Sequence, residues 1–566
     1  MGSYELLLFN VDNVITKISF EEKTFSYISK KWLLDNLNSS EDTFVDALLC
    51  TGMYGIPPFP PLAEGKTLPQ TEPGYNVKNA ILLIKSSGRT VGKMCDSLVD
   101  KANHPDWEIK YQKAKMGIKH NIVLKKDGKY FISEYDQLTA DNHEYLGLQL
   151  PEELLYYLGK AAIAPRVLNW MGSLEMLVHP PLDGGDSEEF KMLVSQQLVP
   201  IRQQTVALLA SKLNRAFQHK NLTMKFWYDD SKPVIMNPNQ VAPRPAELAS
   251  TWCVKESQFK DLKDTTGAAP GTFSFALRAM MDSKFAASTT KKSPDTKLST
   301  DDEIVCNAIW RFLHLRGYIN DKHELTVWGR ALLAALEKTK PAHNLEESVV
   351  LALELIRYDQ LNTRNRYEDW IGGPLRGPDD EKENCLLIAR VACLAKIQHR
   401  PIGYTGPLSR NLLAFHSITT GVRESARDLV ETILVSILLN YEAERKSSRS
   451  YSSMSLRYDI SSMTTYFAGT NYCRLPFWND VDCALGIAVK TYLDDFAAPG
   501  QSEETKREKK REYAGSLIPH NVDFAADLDI AFELFDAVYA GVQSLKDEVP
   551  DKSAWERANQ YLALRR

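Results

Sequence analysis

No pair of the form Cys-x-x-Cys and no Cys/His cluster occurs in this sequence. Its eight cysteines (Cys50, Cys95, Cys253, Cys306, Cys385, Cys393, Cys473 and Cys483) are scattered along 566 residues. That scatter excludes the zinc modules and secreted disulfide frameworks that depend on such spacings. Free thiols in a reducing compartment are the expectation. A net basic charge is missing as well: Lys and Arg total 68 against 73 Asp and Glu. Any RNA contact must therefore come from a local patch or be made indirectly through a partner. No run approaches the roughly 20 apolar residues of a membrane span. The opening Tyr4-Glu5-Leu6-Leu7-Leu8-Phe9 is too short and too acidic for a signal peptide. The chain is expected to be soluble and cytoplasmic, with no membrane partner.

Nucleophile elbows, phosphate loops and His-Glu-x-x-His sequences are lacking too, and the eleven histidines are dispersed. The stretch Gly372-Gly373-Pro374-Leu375-Arg376-Gly377-Pro378 has a phosphate loop's glycines, but its prolines remove the N–H donors such a loop needs. No catalytic residue, metal site or cofactor is expected from these patterns.

What is present has the balance of a folded globular protein, 44% hydrophobic and 25% charged. At about 150 residues per domain the length suggests three to four domains. Leu6–Phe9 is a short apolar run, and Val14, Thr16 and Ile18 alternate as in a strand, with a helix expected next. Ser39 or Ser40 caps a further helix carrying Phe44, Val45, Leu48 and Leu49 and ending at Gly52. The run Pro57-Pro58-Phe59-Pro60-Pro61 reads as a rigid extended connector. Asn121–Ser133 is a hairpin candidate turning at Asp127-Gly128. A helix starts at Pro200, and Leu222–Tyr228 alternates as a strand. The polar stretch Ala286–Thr300 is the best linker in the sequence. Beyond it, a helix over Asp301–Arg316, a turn at Asn320-Asp321, a short strand Glu324–Thr326 and a second helix have the order of a winged-helix-like unit. Leu429–Tyr441 is apolar enough for a central core helix.

The segment Asp42-Thr43-Phe44-Val45-Asp46-Ala47-Leu48-Leu49-Cys50-Thr51-Gly52-Met53-Tyr54 resembles a helix of the flap-endonuclease-like (XPG-type) nucleases. In that family an aspartate after the glycine ligates the catalytic magnesium ions. Aligning Asp46 and Gly52 places Met53 or Tyr54 at that position, and a thioether cannot replace a carboxylate on a hard cation. The family's further carboxylates lie upstream of the strand that Leu6–Phe9 resembles. The resemblance thus implies a motif remnant (Asp46, Gly52 and Met53) without the chemistry.

Several further pieces, in order, resemble the fungal Mkt-type (maintenance-of-killer-toxin) regulators. They are Leu150–Leu158, Pro165–Asn169, Leu198–Thr205, His219–Trp227 and Gly317–Leu332. That resemblance implies post-transcriptional control of messenger RNA and an ataxin-2-like partner that itself associates with poly(A)-binding protein. The fold expected is mainly α with a small α/β part: a partial PIN/flap-nuclease-like remnant over residues 1–75, a helical middle region with small β elements over 76–285, a linker over 286–300, and a helical Mkt-type domain over 301–566 that starts with the winged-helix-like unit. A non-enzymatic scaffold is the expectation. Its rival is a structure-specific, metal-dependent nuclease, which needs clustered acids. A direct nucleic-acid binder would need a basic recognition helix, and Val327–Glu337 has Arg330 as its one basic residue. Glycine- and proline-rich connections hold aromatic and arginine residues of the type that anchors interfaces. Trp370, Arg376, Tyr404 and Trp478 are the partner-binding candidates. The Lys506–Arg511 cluster is interrupted by Glu508 and reads as a solvated helix face.

Overall fold

The structure, a computed structural model, describes residues 2–566 except 20, 64–75, 89, 99–103, 105, 125–129, 140–147, 149, 160–161, 182–186, 214, 242, 292–296, 367–378, 401, 444–481 and 546–547. It is mainly helical, and it divides into two compact units, Met1–Tyr156 and Tyr157–Arg566.

In the first unit, strands β1 (Asn13–Ser19) and β2 (Thr24–Ser29) pair antiparallel. Helices Lys30–Leu37 and Glu41–Cys50 follow. Ser40 is the cap of the second helix, accepting from the Thr43 amide at 3.3 Å. That helix buries Phe44, Leu48 and Leu49 in a core shared with Phe59, Ile84, Met94 and Trp107. Helices Val77–Ser86, Val91–Leu98 and Trp107–Lys119 supply much of that core, with Leu7, Leu8, Val14, Ile56 and Leu62 from outside them. Strands β3 (Ile122–Leu124) and β4 (Tyr130–Ile132) form the expected hairpin, whose turn lies outside the described residues.

Three expectations are corrected here. Leu6–Phe9 is not a strand, because Tyr4–Leu8 is a 3₁₀ turn that buries Leu7 and Leu8 together; consecutive apolar residues have no strand alternation to enforce extension. The element after β1 is the strand β2 rather than a helix. The proline run is not wholly extended, since Pro60–Ala63 forms a helical turn, and the first helical positions need no amide hydrogen. The described strands of this unit are two antiparallel pairs, where an α/β nuclease lobe would need parallel strands joined by helices.

In the second unit, helix Pro165–Ser173 leads into β5 (Glu175–Val178). Helix Val199–Ala210 then crosses to β6 (Leu222–Phe226), which pairs parallel to β5 and antiparallel to β7 (Asp229–Met236), in the order β5-β6-β7. Helices Asp301–Leu315 and Val327–Leu336 flank a tight turn closed by an isolated Ile319–Leu325 bridge; the short strand expected over Glu324–Thr326 is not formed. The 30-residue helix Arg410–Leu439 runs through the centre of this unit. Its second half is buried on every side, with Leu429, Ile433, Leu434 and Ile437 fully enclosed. Helices Val199–Ala210, Asp301–Leu315, Glu346–Arg357 and Asp379–Ala392 pack against it.

The segment Ala286–Thr300 is not a boundary between the two compact units; it lies inside the second. Ala286–Thr289 completes helix Ser283–Thr289, Leu298 is fully buried with its amide donating to the Glu442 carbonyl, and Thr300 forms a capping box with Glu303. Polar composition suggested a tether, yet Thr289 and Thr300 spend their hydroxyls on local structure, which composition does not register.

Candidate functional site

Asp46 sits inside the first unit at 6% exposure. The Tyr111 hydroxyl donates to its Oδ1 at 2.7 Å, and the Lys115 ammonium reaches both carboxylate oxygens, at 2.7 and 3.0 Å. Burial, then the neighbouring carboxylate, push the Tyr111 phenol far above its ordinary range, so it stays a donor. Gly52 has φ +94°, with Pro58 Cγ 3.0 Å from where a Cβ would stand, so the chain can turn there only without a side chain. Met53 follows in the turn Met53–Gly55 and packs partly buried against the core. No group of three or more His, Cys, Asp or Glu residues able to hold a metal ion exists among the described residues.

Of the four loop anchors, Trp370, Arg376 and Trp478 lie outside the described residues. Tyr404 is half-buried: its hydroxyl donates to the Pro407 carbonyl at 2.9 Å and its ring covers Gly406. Burial raises its phenol well above the ordinary value. The ring closes its own loop, while Ile402 and Leu408 are the exposed apolar residues there. Lys506 and Lys509 pair with Glu503 and Glu512 along helix Glu503–Leu517; Lys509 is partly exposed, whereas Lys506 is largely covered and also donates to the Arg566 carbonyl.

A different place in the second unit concentrates charge. A cleft of about 340 Å³ opens between the 30-residue helix on one side and β5 with helix Pro165–Ser173 on the other. Proline sits in the first turn of both helices that bring arginine to it: Arg166 follows Pro165, and Arg202 lies about one turn into helix Val199–Ala210, whose second residue is Pro200. Arg166 holds Asp428 at 2.9 Å and also pairs with Glu424. Next to this pair, the Glu431 carboxylate accepts from the Ala164 amide at 2.7 Å, fixing the start of helix Pro165–Ser173 on the long helix.

Burial pushes the Asp428 carboxyl up to about 6, against the opposing pull of Arg166. Burial also lowers Arg202 to about 10, with Arg166 adding to that effect and Asp428 opposing it. Arg202 donates to the Val194 carbonyl at 3.1 Å and to Met224 sulfur at 3.4 Å. No described carboxylate is within ion-pair distance of Arg202. The cleft thus holds one arginine fully engaged with two acids and another whose charge has no direct counterion among the described residues. None of these residues stands out in the sequence as a site. Their available signal was an arginine or acid placed in an otherwise buried helical turn.

The chain matches two family models that carry the same description, a temperature-dependent protein affecting M2 dsRNA replication. The N-terminal model covers residues 139–228 and the C-terminal model 311–564. Arg166 and Arg202 fall in the first match, Glu424 and Asp428 in the second. Similar curated proteins include the post-transcriptional regulator MKT1 of Cryptococcus neoformans, 24% identical over 588 residues that cover 97% of this chain and 72% of that protein. The post-transcriptional regulator mkt1 of Schizosaccharomyces pombe is 23% identical, covering 78% of this chain and 62% of its own length. The Saccharomyces cerevisiae post-transcriptional regulator MKT1 is 24% identical, with coverage of 58% and 40%. The chain therefore spans less than two thirds of the latter two. No solved structure matches.

Proposed function

Because the chain belongs to the Mkt1 family of post-transcriptional regulators, we propose that it is a non-catalytic, cytoplasmic scaffold in the control of messenger-RNA stability or translation. Its direct partner in this reading is an ataxin-2-like protein associated with poly(A)-binding protein, and mRNA is engaged through that partner or a local patch. The observation that carries the reading is the ordered match of both family segments, which the Arg166–Asp428 ion pair ties together within the second unit. Residues from about Asp301 onward are proposed to hold the principal partner surface, with Trp370, Arg376, Tyr404 and Trp478 as its anchors.

The test is direct binding of the purified chain to an ataxin-2-like protein, with and without ribonuclease. Binding is expected to survive ribonuclease; loss on RNA removal would mean an RNA tether instead. Alanine at a true anchor should cost about 2 kcal/mol or more in affinity.

Relation to XPG-type nucleases rests on the Asp42–Tyr54 motif alone. The non-catalytic part of the proposal is supported by Asp46, whose carboxylate is committed to Tyr111 and Lys115, whereas two-metal cleavage needs oxygen ligands open to the ions. Flap, single-stranded and duplex substrates are expected to remain uncut in magnesium or manganese. Cleavage that Asp46→Asn abolishes would establish the nuclease reading instead.

A further inference from the structure

We propose that the cleft beside β5 is a docking groove for an extended peptide segment, which pairs its backbone with the open edge of β5 and sets one carboxylate on Arg202. This goes beyond the scaffold reading and holds whatever the identity of the partner named there.

The backbone of β5 supplies the first argument. Thr223 donates to the Leu174 carbonyl at 2.9 Å, and the parallel register sets Glu175 opposite Thr223. Amide and carbonyl directions alternate along a strand, so Leu174, Met176 and Val178 face β6 while Glu175 and Leu177 face the open side. The Ser173 hydroxyl occupies both outward groups of Glu175, at 3.1 and 3.2 Å. Leu177 has no such cap, and its side chain is 58% exposed. The four consecutive residues Met176–His179 all line the cleft. Successive strand residues point to opposite faces, so a cleft that touches all of them meets the strand along its edge. No described strand pairs with that side of β5, and such an edge takes up another backbone.

Charge decides what kind of chain fits. Arg166 is consumed by Glu424 and Asp428, which leaves Arg202 as the guanidinium with donors to spare. One carboxylate beside Arg202 would supply the counterion that no described residue gives it, in a setting where an unpaired charge is costly. A nucleic-acid strand fits poorly, because its successive phosphates would also meet the carboxylates of Glu424 and Asp428 across the groove. A polypeptide brings alternating donors and acceptors to the strand edge and one acid to the arginine.

A library of random linear peptides, selected on the full-length protein, provides the probe. The selected peptides should share an Asp or Glu at one position. Replacing that residue with its amide should weaken binding about tenfold or more, the size of a charge-assisted hydrogen bond. Arg202→Met should abolish the preference for the acid over the amide. Leu177→Pro, which removes an outward amide hydrogen and spares the ladder to β6, should weaken every selected peptide. The peptide-side replacement keeps the test decisive even where a protein variant folds poorly. The proposal is overturned if no peptide is selected, if the binders lack an acid, or if their affinity is indifferent to both protein variants. Displacement of the peptides by a single-stranded oligoribonucleotide, or self-association of the protein that Arg202→Met abolishes, would also overturn it, assigning the groove to RNA or to a second copy.

Discussion

Two positions show how strictly single residues are placed. The buried carboxylate of Asp46 is tolerable because Tyr111 and Lys115 both reach it; removing a partner leaves a desolvated charge short of a bond. Tyr111→Phe is expected to destabilise the first unit by about 2 kcal/mol, the scale of a hydrogen bond to a charged acceptor, read as an earlier transition in urea. Gly486 lets helix Ala484–Asp495 lie directly on helix Asp379–Ala392. A Cβ there would stand 2.1 Å from the Cys393 sulfur and 2.5 Å from the Ala389 carbonyl oxygen. Gly486→Ala should therefore destabilise by roughly 1–3 kcal/mol through overpacking. Gly515 also lies within a helix, but a Cβ there meets nothing within 4 Å. Gly515→Ala should be stabilising by about 0.5–1 kcal/mol, from lost freedom of the unfolded chain. Denaturant melts of the pair check the opposite signs, and equal shifts would refute the packing argument.

The turn between helices Asp301–Leu315 and Val327–Leu336 is held by an aromatic and imidazole cluster that its hydrophobic pattern does not reveal. His323, at φ +60°, stacks on Trp252 at 3.8 Å, and its two ring nitrogens bond the hydroxyls of Thr289 and Thr251. Burial pushes the His323 pKa down from 6.5 to about 4, with His314 adding to the shift and Asp321 opposing it. The unfolded chain then takes the proton first, so this contribution is present above about pH 6.5 and is lost as pH falls toward 4, roughly 3 kcal/mol at most. Asp428 works in the opposite sense, since its raised pKa costs stability as pH rises from about 4 to about 6. The contribution is isolated by comparing the protein with His323→Asn, a residue that tolerates the left-handed backbone. The stability gap between the two should shrink as pH drops from 6.5 to 4 in thermal melts, and a flat gap would refute the assignment. Periodicity carried the elements with a clean repeat: the helices about Asp301 and Val327, the alternating β6, and the β3–β4 hairpin. It failed at β2, although Phe25 and Tyr27 alternate there, because both are exposed and that hairpin has little buried face to set its pattern. It failed at Tyr4–Leu8 and Pro60–Ala63, where turns too short for any period are fixed by the packing of Leu7, Leu8, Pro61 and Leu62.

Across the whole molecule, what the sequence conceals is distance along the chain. The cleft joins Arg166 and Arg202 to Glu424 and Asp428, residues more than 200 positions apart for which no local spacing exists. The division into units is hidden in the same way. Residues 286–300 look like a tether, but the elements on either side of them share one interior. The Trp310 indole donates to the Ala276 carbonyl at 3.0 Å and stacks with Trp252 at 5.8 Å. Asn307, fully buried, exchanges two hydrogen bonds of 2.8 Å with the backbone of Val254. A fragment beginning at residue 301 would therefore expose Trp310 and strip the Asn307 amide of both Val254 bonds, leaving it the Glu303 carbonyl alone, a loss of several kcal/mol set against a total domain stability of about 5–15 kcal/mol. Expressed alone, residues 157–566 should give a single cooperative melt, whereas residues 301–566 should aggregate or unfold without a transition. A cooperative, monodisperse 301–566 fragment with the thermal midpoint of the longer piece would place the folding boundary back at the polar stretch and overturn this division.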